Sequence, residues 1–167
     1  MNLEKEIGYK YFRNEWQKAS MSILYTQGIL FNTYENFFKK YGLTFQQYNA
    51  LRILRDQYPK PVSTSFLREK LLDKMSDASR LVSRLTAKEL VTVTQNAADK
   101  RLVNILVSEK GFKVLEDIDI YLPELDQKLY GITEEEATTM ANLLAKLRTS
   151  LKMEEQPEQV NTPIQNQ

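Results

Sequence analysis

The sequence predicts a mainly α-helical chain with a small β-hairpin wing: a winged helix-turn-helix lobe between long helices at the two ends. Three observations carry that expectation. Apolar residues recur at helical spacing over most of the chain, which is the mark of helices with one buried side. The period switches to two in one region only, in the runs 91–94 and 102–107. A short basic helix stands directly before those runs, and the loop between them, 95–100, is polar and ends in charge. Helix, then hairpin with a basic tip, is the pattern of a winged helix-turn-helix.

Taken in order, residues 1–10 are polar and predicted to be flexible. A long helix over 11–40 carries Trp16, Ile23, Leu24, Ile29, Phe37 and Phe38, a spread too wide for one stripe, which implies burial on more than one side. Gly42 supplies its stop, because glycine enters the left-handed conformation without penalty. Thr44 then caps a helix to about residue 57, and Gln47 completes a capping-box pattern. Its inner positions are Phe45, Tyr48, Leu51, Leu54 and Tyr58. Pro59 and Pro61 break the chain, and a third helix starts near Ser63 or Thr64 and ends around Leu72, with Phe66, Leu67 and Leu71 inward.

After the turn Asp73, Lys74, Met75, the helix over 76–88 takes Ser76 or Asp77 as its N-cap. Leu81, Val82 and Leu85 form its inner side. In the strands, Val91 and Val93 alternate with threonines, and Val103, Ile105 and Val107 with Leu102, Asn104 and Leu106. Ser108 caps a helix over 109–129 that Pro123 should bend or break, since proline lacks an N–H and crowds the preceding turn. Thr133 and Glu136 form a capping box for a last helix to about residue 151, and 152–167, polar with two prolines, are predicted disordered.

This places a single domain over 11–151. Its helix-turn-helix and wing lobe spans about 44–108, and its flanking helices span about 11–40 and 109–151. The last helix carries Ala137, Met140, Leu144, Leu147 and Leu151 at spacings of three and four. Such a stripe is most often ordinary core, but because the flanking helices come from both ends of the chain, a dimer seam is the better reading here. Its candidates are Trp16, Ile23, Leu122, Met140, Leu144, Leu147 and Leu151.

Composition removes several function classes. The 167 residues contain no cysteine and no histidine. Disulfides, thiolate catalysis and thiol redox sensing are excluded, as are the usual general base near neutral pH and the commonest transition-metal ligand. There is no glycine-rich phosphate loop, no metal-ligand spacing and no nucleophile beside a base. The Glu134–Glu136 carboxylates stand where helix capping already explains them. No enzyme, cofactor or metal is therefore expected. Residues 1–12 lack the apolar stretch of a signal peptide, and no apolar run approaches the ~18 residues of a membrane span, so a cytoplasmic place is expected.

Net charge is only +1, but it is unevenly spread. Between Lys60 and Arg101 nine basic residues face five acidic ones, and the chain after Gly111 is acidic. Attraction for phosphate would concentrate in the middle of the chain. There the outer side of the helix over 76–88 holds Ser76, Asp77, Ser79, Arg80, Ser83 and Arg84. Arginines interleaved with short hydroxyls suit a DNA major groove, where arginine bonds guanine through two N–H groups and serine reaches phosphate or a base edge. Ser63, Ser65, Lys74, Asn96, Lys100 and Arg101 complete the candidate DNA-binding set. Asp99, an anion, is expected instead to hold the wing by pairing with Arg101, Arg84 or a nearby lysine.

The run DKRLVNILVSEKG, residues 99–111, resembles the wing signature of the MarR family, the multiple antibiotic resistance regulators. In that family Asp-x-Arg enters the second wing strand and Ser/Thr-x-x-Gly opens the next helix. SRLVSRL, residues 79–85, is similar to the family's recognition helix, and ELV, residues 89–91, stands where the family usually has Gly-Leu-Val. Glu89 for glycine and Ser108 for the commoner threonine are departures. The likeness extends more weakly over about residues 10–151.

The resemblance implies a bacterial homodimer that binds a pseudo-palindromic operator in double-stranded DNA, with Arg101 entering a minor groove. It also implies repression, released by a small ligand. Tyr34, Phe37, Phe38, Tyr41 and Tyr48 then have two readings, ordinary core or a ligand pocket for an aromatic effector. A second function also stands beside the first: a winged helix that docks on an acidic protein through Arg80, Arg84 and Arg101, without specific DNA binding.

Overall fold

The structure, a computed structural model, describes residues 3–154. Its elements are α1 (Leu3–Ile7), α2 (Glu15–Lys39), α3 (Phe45–Gln57), α4 (Thr64–Lys70) and α5 (Ala78–Ala87), then β1 (Val91–Gln95) and β2 (Val103–Val107). After the hairpin come α6 (Glu109–Asp119), α7 (Pro123–Gln127) and α8 (Glu134–Glu154). The chain divides into two compact units, one ending at Leu125 and one beginning at Asp126, a division not expected from the sequence. A mainly helical fold with one hairpin is as predicted.

Side-chain caps set most helix starts. Asn14 accepts the Gln17 N–H at 2.9 Å, so α2 begins later than the predicted residue 11. The segment before it is more ordered than its polarity suggests: α1 forms a short helix, and the Glu4 carboxylate lies 3.1 Å from Lys18 Nζ on α2. Thr44 and Gln47 close the predicted capping box in both directions at 3.1 Å. Ser63 and Ser108 cap α4 and α6 through their hydroxyl oxygens. The expected helix over 109–129 is two helices, because α7 starts at Pro123, a first-turn position that tolerates proline. Residues 152–154 continue α8, and the predicted disordered tail lies otherwise outside the described residues.

The core of the first unit joins α2 through α6 and the hairpin, with Phe38, Leu51, Leu54, Leu67, Leu85, Ile105, Leu115 and Ile118 fully buried. Each such side chain contributes roughly 1.5–3 kcal/mol when taken from water. The hairpin is antiparallel, with Val91 opposite Val107 and Val93 opposite Ile105. Val62 exchanges backbone hydrogen bonds with Ile105 at 3.1 and 2.9 Å, tying the segment before α4 to the wing. Alternation on β1 is weaker than predicted: only Val91 is buried, and Val93 is exposed.

The join between α5 and the hairpin decides how the wing sits. The Leu90 N–H reaches back to the Leu85 carbonyl at 3.0 Å and the Glu89 N–H to Thr86 at 2.8 Å. This is the helix stop that normally uses glycine, and Glu89 holds the left-handed conformation at φ 62°. A non-glycine residue there is strained by roughly 1–2 kcal/mol. Two contacts hold it in place: Ser108 Oγ donates to the Glu89 carbonyl at 2.7 Å, and Lys110 Nζ pairs with its carboxylate at 2.8 Å. The lysine hydrogen bond keeps the Glu89 carboxyl below the ordinary glutamate range.

Candidate nucleic-acid interface

Helix α5 is amphipathic in the manner its sequence predicts. Ala78, Leu81, Val82 and Leu85 are buried, while Ser79, Arg80, Ser83 and Arg84 are exposed on the other side. Of the two candidate caps, Asp77 is the one used; its Oδ1 accepts the Arg80 N–H at 3.1 Å. Ser76 instead donates to Asp73 Oδ2 at 2.8 Å, and Asp73 Oδ1 accepts the Met75 N–H, which together brace the turn before α5. Lys74 Nζ donates to the Glu69 carbonyl. At the far end Lys88 Nζ donates to the Gly42 carbonyl and, at 3.1 Å, to Oε1 of buried Gln47. The helix is thus fastened at both ends, so its outer face is presented rigidly.

A recess runs beside this face. Thr64, Ser65 and Arg68 of α4 line it together with Ser76, Asp77 and Ser79, and Arg101, Leu102 and Val103 close it from the wing. It continues between Ser83 and Thr86 on α5 and Val93 on β1, which explains why Val93 is not covered. Among the described residues no salt bridge engages Arg68, Arg84, Lys100 or Arg101. Arg80 Nε lies 3.3 Å from Asp77 Oδ2. Three unpaired guanidinium groups and one lysine therefore belong to a single helix-plus-wing region, where their potential adds.

Arg68 and Thr64 are not among the candidates expected from the sequence. The signal was present: Arg68 stands three and four residues after Ser65 and Thr64, so all three share one side of α4. Ser63, a candidate, is occupied as the α4 cap and shares a 2.9 Å hydrogen bond with Ser65.

Two wing expectations need correction. Asn96 does not hold its amide free for DNA: Oδ1 accepts the Ala98 and Asp99 N–H groups, and Nδ2 donates to Asn104 Oδ1 at 3.0 Å. Asp99 does hold the wing, but through the main chain. Its Oδ1 accepts the Arg101 backbone N–H at 2.9 Å, a local turn, and among the described residues no salt bridge joins it to a cation. The arginine side chain is left unpaired as a result. Asp99→Ala should therefore speed hydrogen exchange at the Arg101 amide roughly fivefold, the loss of about 1 kcal/mol of hydrogen bonding. Unchanged exchange there would contradict the role.

The aromatic cluster is packed. Phe38 stacks on Tyr48 with ring centres 4.1 Å apart and on Phe45 at 5.8 Å, and meets Phe37 edge-on at 5.1 Å. Phe37, Phe38 and Tyr48 are core, whereas Tyr34 and Tyr41 are half-buried at its margin. Burial pushes the Tyr48 and Tyr41 hydroxyl pKa values up. Among the seam candidates, Trp16, Ile23, Met140, Leu147 and Leu151 are exposed and Leu144 is half-buried. Leu122 packs partly against the chain's own core, which leaves less of it for a partner. No helix among the described residues is long and apolar enough to cross a membrane.

A sequence profile of the MarR family matches residues 41–102, from the turn after α2 to the tip of the wing, and so takes in both helices of the helix-turn-helix and the exposed face of α5. Together with the relatives below, this match supports a MarR-family winged-helix regulator. It is 25% identical over 114 residues to the HTH-type transcriptional regulator MhqR of Bacillus subtilis, covering 68% of this chain and 77% of MhqR. Sco5413, a MarR family transcriptional regulator from Streptomyces coelicolor, is similar at 27% identity with a TM-score of 0.71, over 81% of this chain and 94% of Sco5413. MepR of Staphylococcus aureus, solved in a complex with DNA, shares the fold at 22% identity and a TM-score of 0.70, over 78% of this chain and 96% of MepR. Against the MarR pattern stated above, Glu89 keeps the left-handed turn that the family makes with glycine, so the departure changes the residue and not the backbone.

Proposed function

We propose that this MarR-family chain is a sequence-specific regulator that binds double-stranded DNA as a homodimer. Two copies of α5 enter successive major grooves about 10 bp apart on a pseudo-palindrome, and the wings reach the flanking minor grooves. The observation that carries this is the outer face of α5, where Arg80, Arg84, Ser79 and Ser83 are exposed on a helix fastened at both ends. The unpaired Arg101 at the wing and Arg68 on α4 extend the cationic surface to either side. Ser65, Lys74 and Lys100 supply further phosphate contacts, and Asp99 shapes the wing. That MepR has been solved on DNA with the same fold supports the geometry.

The exposed apolar residues Met140, Leu147 and Leu151 of α8, with Trp16 and Ile23 of α2, supply the seam between copies. Repression follows by occlusion of a promoter in the bacterial cytoplasm. A small aromatic effector that enters beside Tyr34 and Tyr41 releases it. The chain acts without catalysis, metal or cofactor; thiol oxidation is not the switch, since cysteine is absent.

The test is fluorescence anisotropy with a duplex from the chain's own upstream region and a scrambled duplex, each at two salt concentrations. The expected result is a preference of at least about a thousandfold at moderate salt, with affinity falling steeply as salt rises. Equal weak binding to both duplexes would contradict it.

A further inference from the structure

We propose that Asp77 is a specificity-determining positioning residue, which turns the Arg80 guanidinium so that its two terminal N–H groups face a guanine. The inference rests on the DNA-binding reading above. Asp77 uses its two carboxylate oxygens differently. Oδ1 accepts the Arg80 backbone N–H at 3.1 Å and caps α5. Oδ2 lies 3.3 Å from Nε of the same arginine. In the free chain the two side chains are 82% and 56% exposed, so water screens the pair and it adds little to folding.

Its consequence comes with DNA in place. A guanidinium can grip a planar partner through its terminal Nη1/Nη2 edge or through its Nε/Nη2 side. With Nε against Asp77, the terminal edge is the one left open, and that edge suits O6 and N7 of guanine in the major groove. The duplex displaces water from the pair, which strengthens its attraction just when the base is being read.

A second feature favours this role over simple capping. Serine or asparagine would cap the helix about as well as aspartate. Asp77 also lines the recess that holds Arg68 and Arg101, where a carboxylate opposes phosphate. The anion lowers attraction for every duplex alike, whereas the arginine it orients favours one base. Selectivity rises while general affinity falls.

Duplexes selected from a random pool by the wild-type chain provide the test. Anisotropy compares a selected duplex, its scrambled version, and copies in which one guanine at a time is replaced by deazaguanine, which lacks the N7 acceptor. Asp77→Ser keeps a capping oxygen but does not reach Nε; Asp77→Asn keeps the cap and offers Nε only another donor. Both variants should lose roughly tenfold in preference, the scale of one well-placed bidentate contact. Both should bind the scrambled duplex at least as tightly as the wild type. One deazaguanine position that weakens the wild type should leave them unaffected, and adding Asp77→Ser to Arg80→Ala should change nothing further.

Unchanged preference, equal weakening on both duplexes, or the absence of any deazaguanine-sensitive position in the wild type would overturn the inference. A wild type that prefers no duplex removes the proposed function and this inference with it. A discriminating wild type beside equally discriminating variants overturns the inference alone.

Discussion

Gly111→Ala is expected to lower the thermal midpoint of the chain by on the order of 10 °C, the equivalent of about 3 kcal/mol for a domain of this size. A Cβ at Gly111 would stand 2.2 Å from the Leu90 carbonyl oxygen and 2.8 Å from Val107 Cγ2. The nearer obstacle is backbone and has no rotamer to yield. The Leu90 carbonyl also accepts the Ser108 N–H at 3.0 Å, while the Gly111 N–H is held by Ser108 Oγ at 3.0 Å. Moving any of these groups disturbs the start of α6 and the base of the wing together. Differential scanning calorimetry reads the shift directly; a loss below roughly 2 °C would show that the join has slack this account denies it.

The second large effect concerns DNA. Arg68→Ala with Arg101→Ala should weaken binding to any duplex by at least about a hundredfold at moderate salt and, because the homodimer loses two cations from each copy, should flatten the plot of log affinity against log salt by about three to four. The reason is the same for both residues: each is an unpaired cation lining the recess beside α5, one from α4 and one from the wing. Phosphate contacts carry no base preference, and a minor-groove arginine reads only groove width, so the ratio between selected and scrambled duplexes should change far less than the affinity does. This is the opposite signature to the Asp77 variants, which should change the ratio and leave the salt slope almost unchanged. A double variant that alters selectivity with an unchanged salt slope would place these arginines on bases and not on the backbone.

Local chemistry was legible from residue order alone wherever one short segment decided the outcome. The Thr44–Gln47 box, the Ser108 cap, the inner stripe of α5 and the paired runs of the hairpin all depend on residues within a few positions of one another. What depended on distant segments was not legible. Arg68 joins the recess only because α4 and the wing meet beside α5. Lys88 fastens α5 to Gly42 and Gln47, partners more than forty positions earlier. Val93 alternates correctly along β1 yet stays exposed, because the recess lies over it.

Asp99 shows a subtler failure. Its charge suggested a cation as partner, whereas a short acidic side chain two residues before an N–H closes a local turn more readily than it holds a long, mobile arginine. Glu89 is the converse case. The residue departs from the MarR pattern, but the helix stop it occupies is unchanged, since Lys110 and Ser108 hold the strained position.

The most direct test of the central claim is selection of duplexes from a random pool by the intact chain, followed by sequencing. The account predicts enrichment of an inverted repeat whose half-sites are centred about one helical turn apart, with a guanine in each half that Arg80→Ala ceases to enrich. A pool that stays random after successive rounds, or that converges on a single unrepeated site, would contradict a dimer reading DNA through two copies of α5.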